Sequence, residues 1–522
     1  MIYLTDDSIH SILQYLQDDR STLFKCLLVN RFWCKSTIPL LYANPFVKVT
    51  EKSCLITLTL ILCFNKAEIL QLKKQLGLKQ INYINFNKEY KPLFEYPKYL
   101  ENYNSNIINS IIYRWFVKYC SDLTIFQKIY DDIIPIFLRS ILRQSRNIKQ
   151  LYISFNLFYK ENFKNYNFQN FPLNLTRLNS LSLEFHLKGE IEQEFLRNIS
   201  NNYLNSSKLT IKLPKIHRSL FQHDTFDDLI NTTTNTLEKL CTIIQMHNKL
   251  KIFELWNCNF LLNNILLSLE FQKNSLVHIE FIDADFSNIE LKSFNNLYNL
   301  KYLKFEQCRG ILLKQLEGLD LALFNLKELI FKQNKWDIEV ITLMIKYFGA
   351  SLQRLLLVIE TPTSSLIENI SIYCPNLNFL KITISLNIEL SVIQLFKNLR
   401  TRMLSISIFY NIDKLFINLA NNIPINISEI SIYVYSHNFN NFLKFKEFLE
   451  NCHNNFEILN LNQIIEIEFL KIVLNYIERS NNNLKVLGMV KLNKELNDEE
   501  LKLLNRIKAK GVEIIEFSES GC

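Results

Sequence analysis

The sequence predicts an α/β fold of stacked repeats, with parallel strands on the concave side and helices on the convex side. One recurrence and one periodicity carry that reading. A short phrase, apolar-x-x-apolar-x-apolar, returns at a nearly constant interval: Leu300/Leu303/Phe305 is followed by Leu326/Leu329/Phe331. The same spacing stands at Leu250/Phe253/Leu255, Leu276/Ile279/Phe281, Leu352/Leu355/Leu357, Leu377/Leu380/Ile382 and Met403/Ile406/Ile408. It continues at Ile427/Ile430/Ile432, Phe456/Leu459/Leu461, Leu484/Leu487/Met489 and Val512/Ile515/Phe517. Successive starts from Leu250 lie 26, 24, 26, 26, 25, 26, 24, 29, 28 and 28 residues apart. Between two phrases, Ile341, Met344, Ile345 and Phe348 fall on one helical face, and Gly349 follows where a helix stop belongs.

A single strand–helix unit of this length cannot bury its apolar stripe alone, so each repeat is stable only between neighbours. The ninth position of the phrase carries Cys258, Cys308 and Asn334, small side chains able to bond free backbone groups under a turn. Units of about 26 residues with cysteine at that position resemble the cysteine-containing class of leucine-rich repeats. Earlier starts near Ile148, Leu178 and Ser206 are less regular, so the repeats are expected over 146–522, irregular before about 250 and regular over 250–517.

At 522 residues the chain exceeds the size of an ordinary single core, a limit that a repeat stack escapes by growing along one axis. Apolar residues make up 48% and charged ones 21%, which argues against disorder. Only 8 glycines are present, with no GxGxxG, P-loop, GxSxG or HExxH phrase, so neither a nucleotide loop nor an enzyme is expected. The net charge of +8 is spread among alternating signs instead of forming the basic stripe of a nucleic-acid binder. The 11 cysteines lack zinc or disulfide spacing, which fits a reducing compartment, cytoplasmic or nuclear. The start lacks the basic region of a signal peptide, and the most apolar run, Cys54–Phe64, is far shorter than the about 20 residues a spanning helix needs, so no membrane partner is expected. His217, His223, Asp224, Asp227 and Asp228 cluster inside the 44-residue step from Ser206 to Leu250. An insertion or irregular repeat accounts for them better than a metal site, and no metal or cofactor is expected.

The first forty residues are of another kind. Ile9, Ile12, Leu13 and Leu16 form a helical stripe that Thr5, Asp6 or Asp7 can cap. Leu23, Leu27 and Leu28 mark a second short helix, Phe32 and Trp33 begin a third stretch, and Pro39 and Pro45 close it. So small a module with so many apolar side chains implies docking onto a larger surface.

These residues resemble a known family. Leu4-Thr-Asp-Asp7-Ser-Ile9, Ile12-Leu13-x-x-Leu16, Cys26-Leu-Leu-Val29-Asn-Arg31-x-Trp33-Cys34, Ile38-Pro39-Leu-Leu41-Tyr42 and Asn44-Pro45-Phe46 are similar to the F-box of fungal F-box proteins with leucine-rich repeats. Thr5 stands where proline is usual and Tyr42 where tryptophan is usual. The resemblance implies an F-box over 1–46, a helical linker region over 47–145, and repeats to the end. It further implies a non-catalytic substrate receptor of a Skp–cullin–F-box ubiquitin ligase. Adaptor contacts would come from Leu4, Ile9, Leu13, Leu16, Leu27, Val29 and Trp33, and cullin would join through the adaptor. The alternative is a protein-binding scaffold with a degenerate F-box and no ligase role, for which Thr5 is the supporting feature.

An unknown protein target is expected on the outward strand positions, because alternate side chains of a strand share one face. Those positions are Glu254, Trp256, Tyr302, Lys304, Glu328, Lys332, Arg354, Phe379 and Lys381, with Phe409 and Tyr433 in later repeats. Mixed charge with spaced aromatics suits a protein interface.

Overall fold

The computed structural model describes residues 5–46, 54–76, 92–119, 129–157, 177–186, 190–200, 205–215, 223–259, 261–319, 324–359, 362–384, 389–409, 415–435 and 442–517. The chain divides into two compact units, Met1–Asn257 and Cys258–Cys522.

The first unit opens with α1 (Asp6–Tyr15), α2 (Arg20–Cys26) and α3 (Arg31–Ala43). Each helix begins on a side chain that accepts a free backbone N–H. Thr5 accepts from Ser8, Asp19 from Thr22, and Asn30 from both Phe32 and Trp33. The three helices close around Ile9, Leu13, Leu23, Cys26 and Leu41, with Leu16, Leu27, Phe32, Trp33, Leu40 and Tyr42 packed against that core. The Arg20 guanidinium donates to the carbonyls of Leu41 (3.1 Å) and Asn44 (2.8 Å), joining the start of α2 to the end of α3.

The next stretch holds α4 (Cys54–Leu62), α5 (Lys66–Leu76), α6 (Ser105–Tyr119) and α7 (Ile134–Gln144). Glu68 closes a reciprocal cap with Asn65 at the start of α5 and receives two 3.1 Å bonds from Arg143 and one of 3.0 Å from Ser140, both on α7. This segment is not helical throughout. Strand β1 (Asn102–Asn104) lies inside it and runs parallel to β2 (Gln150–Ser154). Its sequence, Asn-Tyr-Asn, buries only Tyr103 and so carries no apolar phrase. Strands β3 (Ser180–Glu184), β4 (Lys208–Lys212) and β5 (Ile252–Trp256) follow in sequence order, all parallel.

The 44-residue step is one irregular repeat, because β4 pairs directly with β5 and the 24-residue helix His223–Met246 fills the interval. His223, Asp224, Asp227 and Asp228 stand in the first turns of that helix, and His217 lies outside the described residues.

In the second unit, β6 (His278–Ile282), β7 (Tyr302–Glu306), β8 (Glu328–Lys332), β9 (Arg354–Val358) and β10 (Phe379–Ile384) pair in order, all parallel. The order continues through β11 (Met403–Ile408), β12 (Glu429–Val434), β13 (Ile458–Leu461), β14 (Val486–Met489) and β15 (Glu513–Glu516). Parallel neighbours need a long crossover, and each repeat supplies it as a helical segment. This is a leucine-rich-repeat α/β fold.

Inward residues stack from repeat to repeat: the rings of Phe281, Phe305 and Phe331 lie 5.8 and 5.9 Å apart, with Trp336 5.1 Å from Phe305. After the strands, Asp283, Gln307 and Gln333 adopt left-handed backbone (φ 52–55°), and each donates its N–H to a carbonyl of the next strand at 2.8 Å. The ninth position works as expected. Asn334 accepts from the Cys308 N–H (2.8 Å) and donates to the Phe305 carbonyl (3.0 Å), while the Cys308 thiol, which burial pushes up to about 12, donates to the Phe281 carbonyl. Asn334→Ala removes the side-chain partner of the Cys308 N–H and of the Phe305 carbonyl and is expected to cost about 2 kcal/mol, read as a lower midpoint in urea.

Two phrases are displaced from the register the sequence suggests. Leu404 and Ile406, not Ile406 and Ile408, pair with Leu380 and Ile382, so that repeat begins at the buried Thr401 instead of Met403. Threonine hides the start from an apolar count, and its hydroxyl donates to the Asn378 carbonyl (2.7 Å). In the last repeat Ile514, not Ile515, pairs with Leu487, and Ile515 is 37% exposed, whereas Val512 and Phe517 are buried.

Candidate functional site

The residues singled out in the sequence fall on the helical module and on the sheet. On the module, Leu4 lies outside the described residues. Ile9 and Leu13 are corrected: both are buried within the module's own core, Leu13 fully and Ile9 with 7% of its surface left. Leu16, Leu27 and Trp33 are half-buried against that core, while Val29 is 58% exposed.

The most open apolar side chains include ones not named as adaptor contacts. Tyr15 (90% exposed) and Leu28 (87%) lead, followed by Phe24 (56%) and Ile12 (37%). With Val29 they make five large apolar side chains exposed between residues 12 and 29. The signal available was their position: Tyr15 sits off the Ile9/Leu13/Leu16 stripe, on the face of α1 that an isolated module would make polar.

On the sheet, outward positions interact between strands. In the first unit Glu254 accepts from Lys208 (2.5 Å) and Thr210 (3.0 Å), and the Lys212 ammonium lies 4.8 Å from the Trp256 ring and 5.5 Å from that of Tyr152. Beside them the Tyr152 hydroxyl donates to Glu184 at 2.5 Å. Burial opposes ionisation of Glu184, but the hydrogen bond from Tyr152 holds its carboxyl below the usual range.

In the second unit β6–β9 carry a ladder of opposite charges. Glu280 pairs in register with Lys304, Glu306 with Lys332, and Glu328 with Arg354. Lys304 Nζ lies 3.2 Å from Glu280 and 2.8 Å from Glu306, Lys332 lies 2.6 Å from Glu306, and Arg354 3.5 Å from Glu328. His278 stacks on Tyr302 with ring centroids 3.8 Å apart and contacts Glu280 at 2.8 Å. Although burial works the other way, bonds from His278 and Lys304 hold Glu280 below the usual carboxylate range, and bonds from Lys304 and Lys332 do the same for Glu306.

Glu254 and Trp256 thus share one face in the first unit, as Tyr302, Lys304, Glu328, Lys332 and Arg354 do in the second, all half-buried. Phe379 and Lys381 share that face but are corrected as open anchors, since both are buried. The Arg354 guanidinium covers the Phe379 ring at 4.3 Å. Further on, Tyr433, Tyr435 and Phe409 contact one another: Phe409 stacks on Tyr435 at 4.1 Å, and Tyr433 lies 4.7 Å from Tyr435.

No family profile and no curated protein matches this chain by sequence. Among solved structures it is similar to Rad7 of yeast, crystallised in a complex with Elc1, at 15% identity over 68% of this chain and 84% of that one, with a TM-score of 0.33. It is also similar to an internalin from Listeria monocytogenes, at 13% identity over 62% of this chain and 83% of that one, with a TM-score of 0.27. The fold assignment rests on the strand ladder itself. No described helix is long and apolar enough to cross a membrane.

Proposed function

We propose that this chain is the substrate-recognition subunit of a Skp–cullin–F-box-type ubiquitin ligase. The helical module docks on the Skp adaptor, the outward face of the strands holds the protein to be modified, and the chain itself performs no chemistry. The observation that carries the reading is the module's surface. A three-helix unit with a closed core of its own still exposes Ile12, Tyr15, Phe24, Leu28 and Val29. Such a concentration of apolar side chains marks a binding surface. Thr5, the feature that favoured the alternative, does not weigh against this reading. Where proline is usual at a helix start, its side chain accepts the Ser8 N–H and keeps α1 begun at the same place. Affinity capture of the full chain from a eukaryotic extract tests the proposal. Adaptor and cullin are expected to come down together, and a capture that recovers other proteins but neither of these overturns it.

A further inference from the structure

On β6–β9 each carboxylate at an outward position faces a lysine or arginine in register on the next strand. Glu429, on β12, breaks this rule. Its in-register neighbours are Met403 and Ile458, both apolar, and its carboxylate makes no hydrogen bond or ion pair with the described residues. The cations nearby are otherwise engaged. Arg402 donates to the Ser428 hydroxyl (2.9 Å), Arg354 lies on Phe379 beside Glu328, and Lys485 pairs with Glu457 (3.0 Å). Glu429 borders a pocket of about 170 Å³ lined by Asn378, Arg402, Met403, Ser428, Glu457 and Ile458. At about 30 Å³ per water molecule, that volume holds an ammonium or guanidinium head with the last methylenes of its stem.

A half-buried carboxylate between a methionine and an isoleucine is costly until a counter-charge reaches it. Burial pushes its carboxyl above the usual range, although the charges of Arg402 and Arg354 work the other way. We propose that this pocket is a subsite for a basic side chain, lysine or arginine, of the bound target polypeptide. Its apolar stem lies on Met403 and Ile458 and its charged head completes the ion pair with Glu429. The inference rests on the outward sheet face being the target-binding face, and it adds that the bound segment is basic where it crosses β11–β13.

Met403 makes the test direct, because the chain has only 5 methionines and their labelled methyl groups resolve by NMR. The full chain is titrated with acetyl-Gly-Gly-Arg-Gly-Gly-amide, its lysine counterpart, and the neutral citrulline counterpart. A saturable shift of the Met403 methyl with at least one basic peptide is expected, with dissociation at least about tenfold weaker in Glu429→Gln. The buried Met344 and Met489 report whether that variant keeps its fold. Equal binding of the citrulline peptide, no shift of Met403, or binding unchanged by Glu429→Gln with Met344 and Met489 unmoved overturns the subsite. Should it fail while captured targets still depend on Tyr302 and Arg354, the target-binding face stands and the basic subsite alone is lost.

Discussion

Phe305→Ala is expected to destabilise the second unit by about 3–5 kcal/mol, the usual cost of emptying a buried phenylalanine site. Phe305 is fully buried, stacked between Phe281 and Phe331, with Phe286 and Trp336 against its edges. The cavity opens at the junction of three repeats, where collapse from one side pulls contacts from the other. In a repeat stack stability resides largely in interfaces between neighbours, so weakening β7 separates the repeats before it from those after it. Urea unfolding followed by far-UV circular dichroism is expected to show a lower midpoint and a shallower slope, the mark of lost coupling. An unchanged midpoint contradicts the stacked core.

The second large effect falls on binding. Tyr15→Ser combined with Leu28→Asp is expected to weaken adaptor affinity at least about a hundredfold, since two exposed anchors of this kind contribute about 2 kcal/mol each. Neither side chain belongs to the core formed by Ile9, Leu13, Leu23, Cys26 and Leu41, so the module is expected to keep its fold. Amide hydrogen exchange over residues 9–41 checks this. Leu13→Ala makes the contrasting case: it empties the core and is expected to lose protection and affinity together. Full affinity in the double variant places the adaptor elsewhere.

The inward half of each repeat was legible in the sequence because it obeys a period. Leu303, Phe305, Leu329 and Phe331 recur at fixed offsets, and all are buried. The period failed where the pattern had a competitor. Thr401 is a buried polar start that a search for leucine passes over, and Ile515 imitates the strand position that Ile514 holds. Strand β1 was invisible, because three residues flanked by helices are too few to show alternation. The outward positions could be placed but their state could not. Arg354 covers Phe379 only across the register of β9 and β10, and Glu429 is unpaired only because Met403 and Ile458 flank it. On the helical module the sequence resemblance singled out residues without dividing core from surface. That division depends on how α1, α2 and α3 pack, which is why Ile9 and Leu13 lie in the core while Tyr15 and Leu28 are exposed.

The helical module is proposed to be an adaptor-binding surface. Titration of the purified full chain against a purified Skp adaptor, followed by isothermal calorimetry, tests it most directly. The expected result is a one-to-one complex tighter than about 1 μM with a negative heat-capacity change, as burial of apolar side chains requires. No heat and no complex at tens of micromolar, from a chain whose module shows normal amide protection, would contradict it.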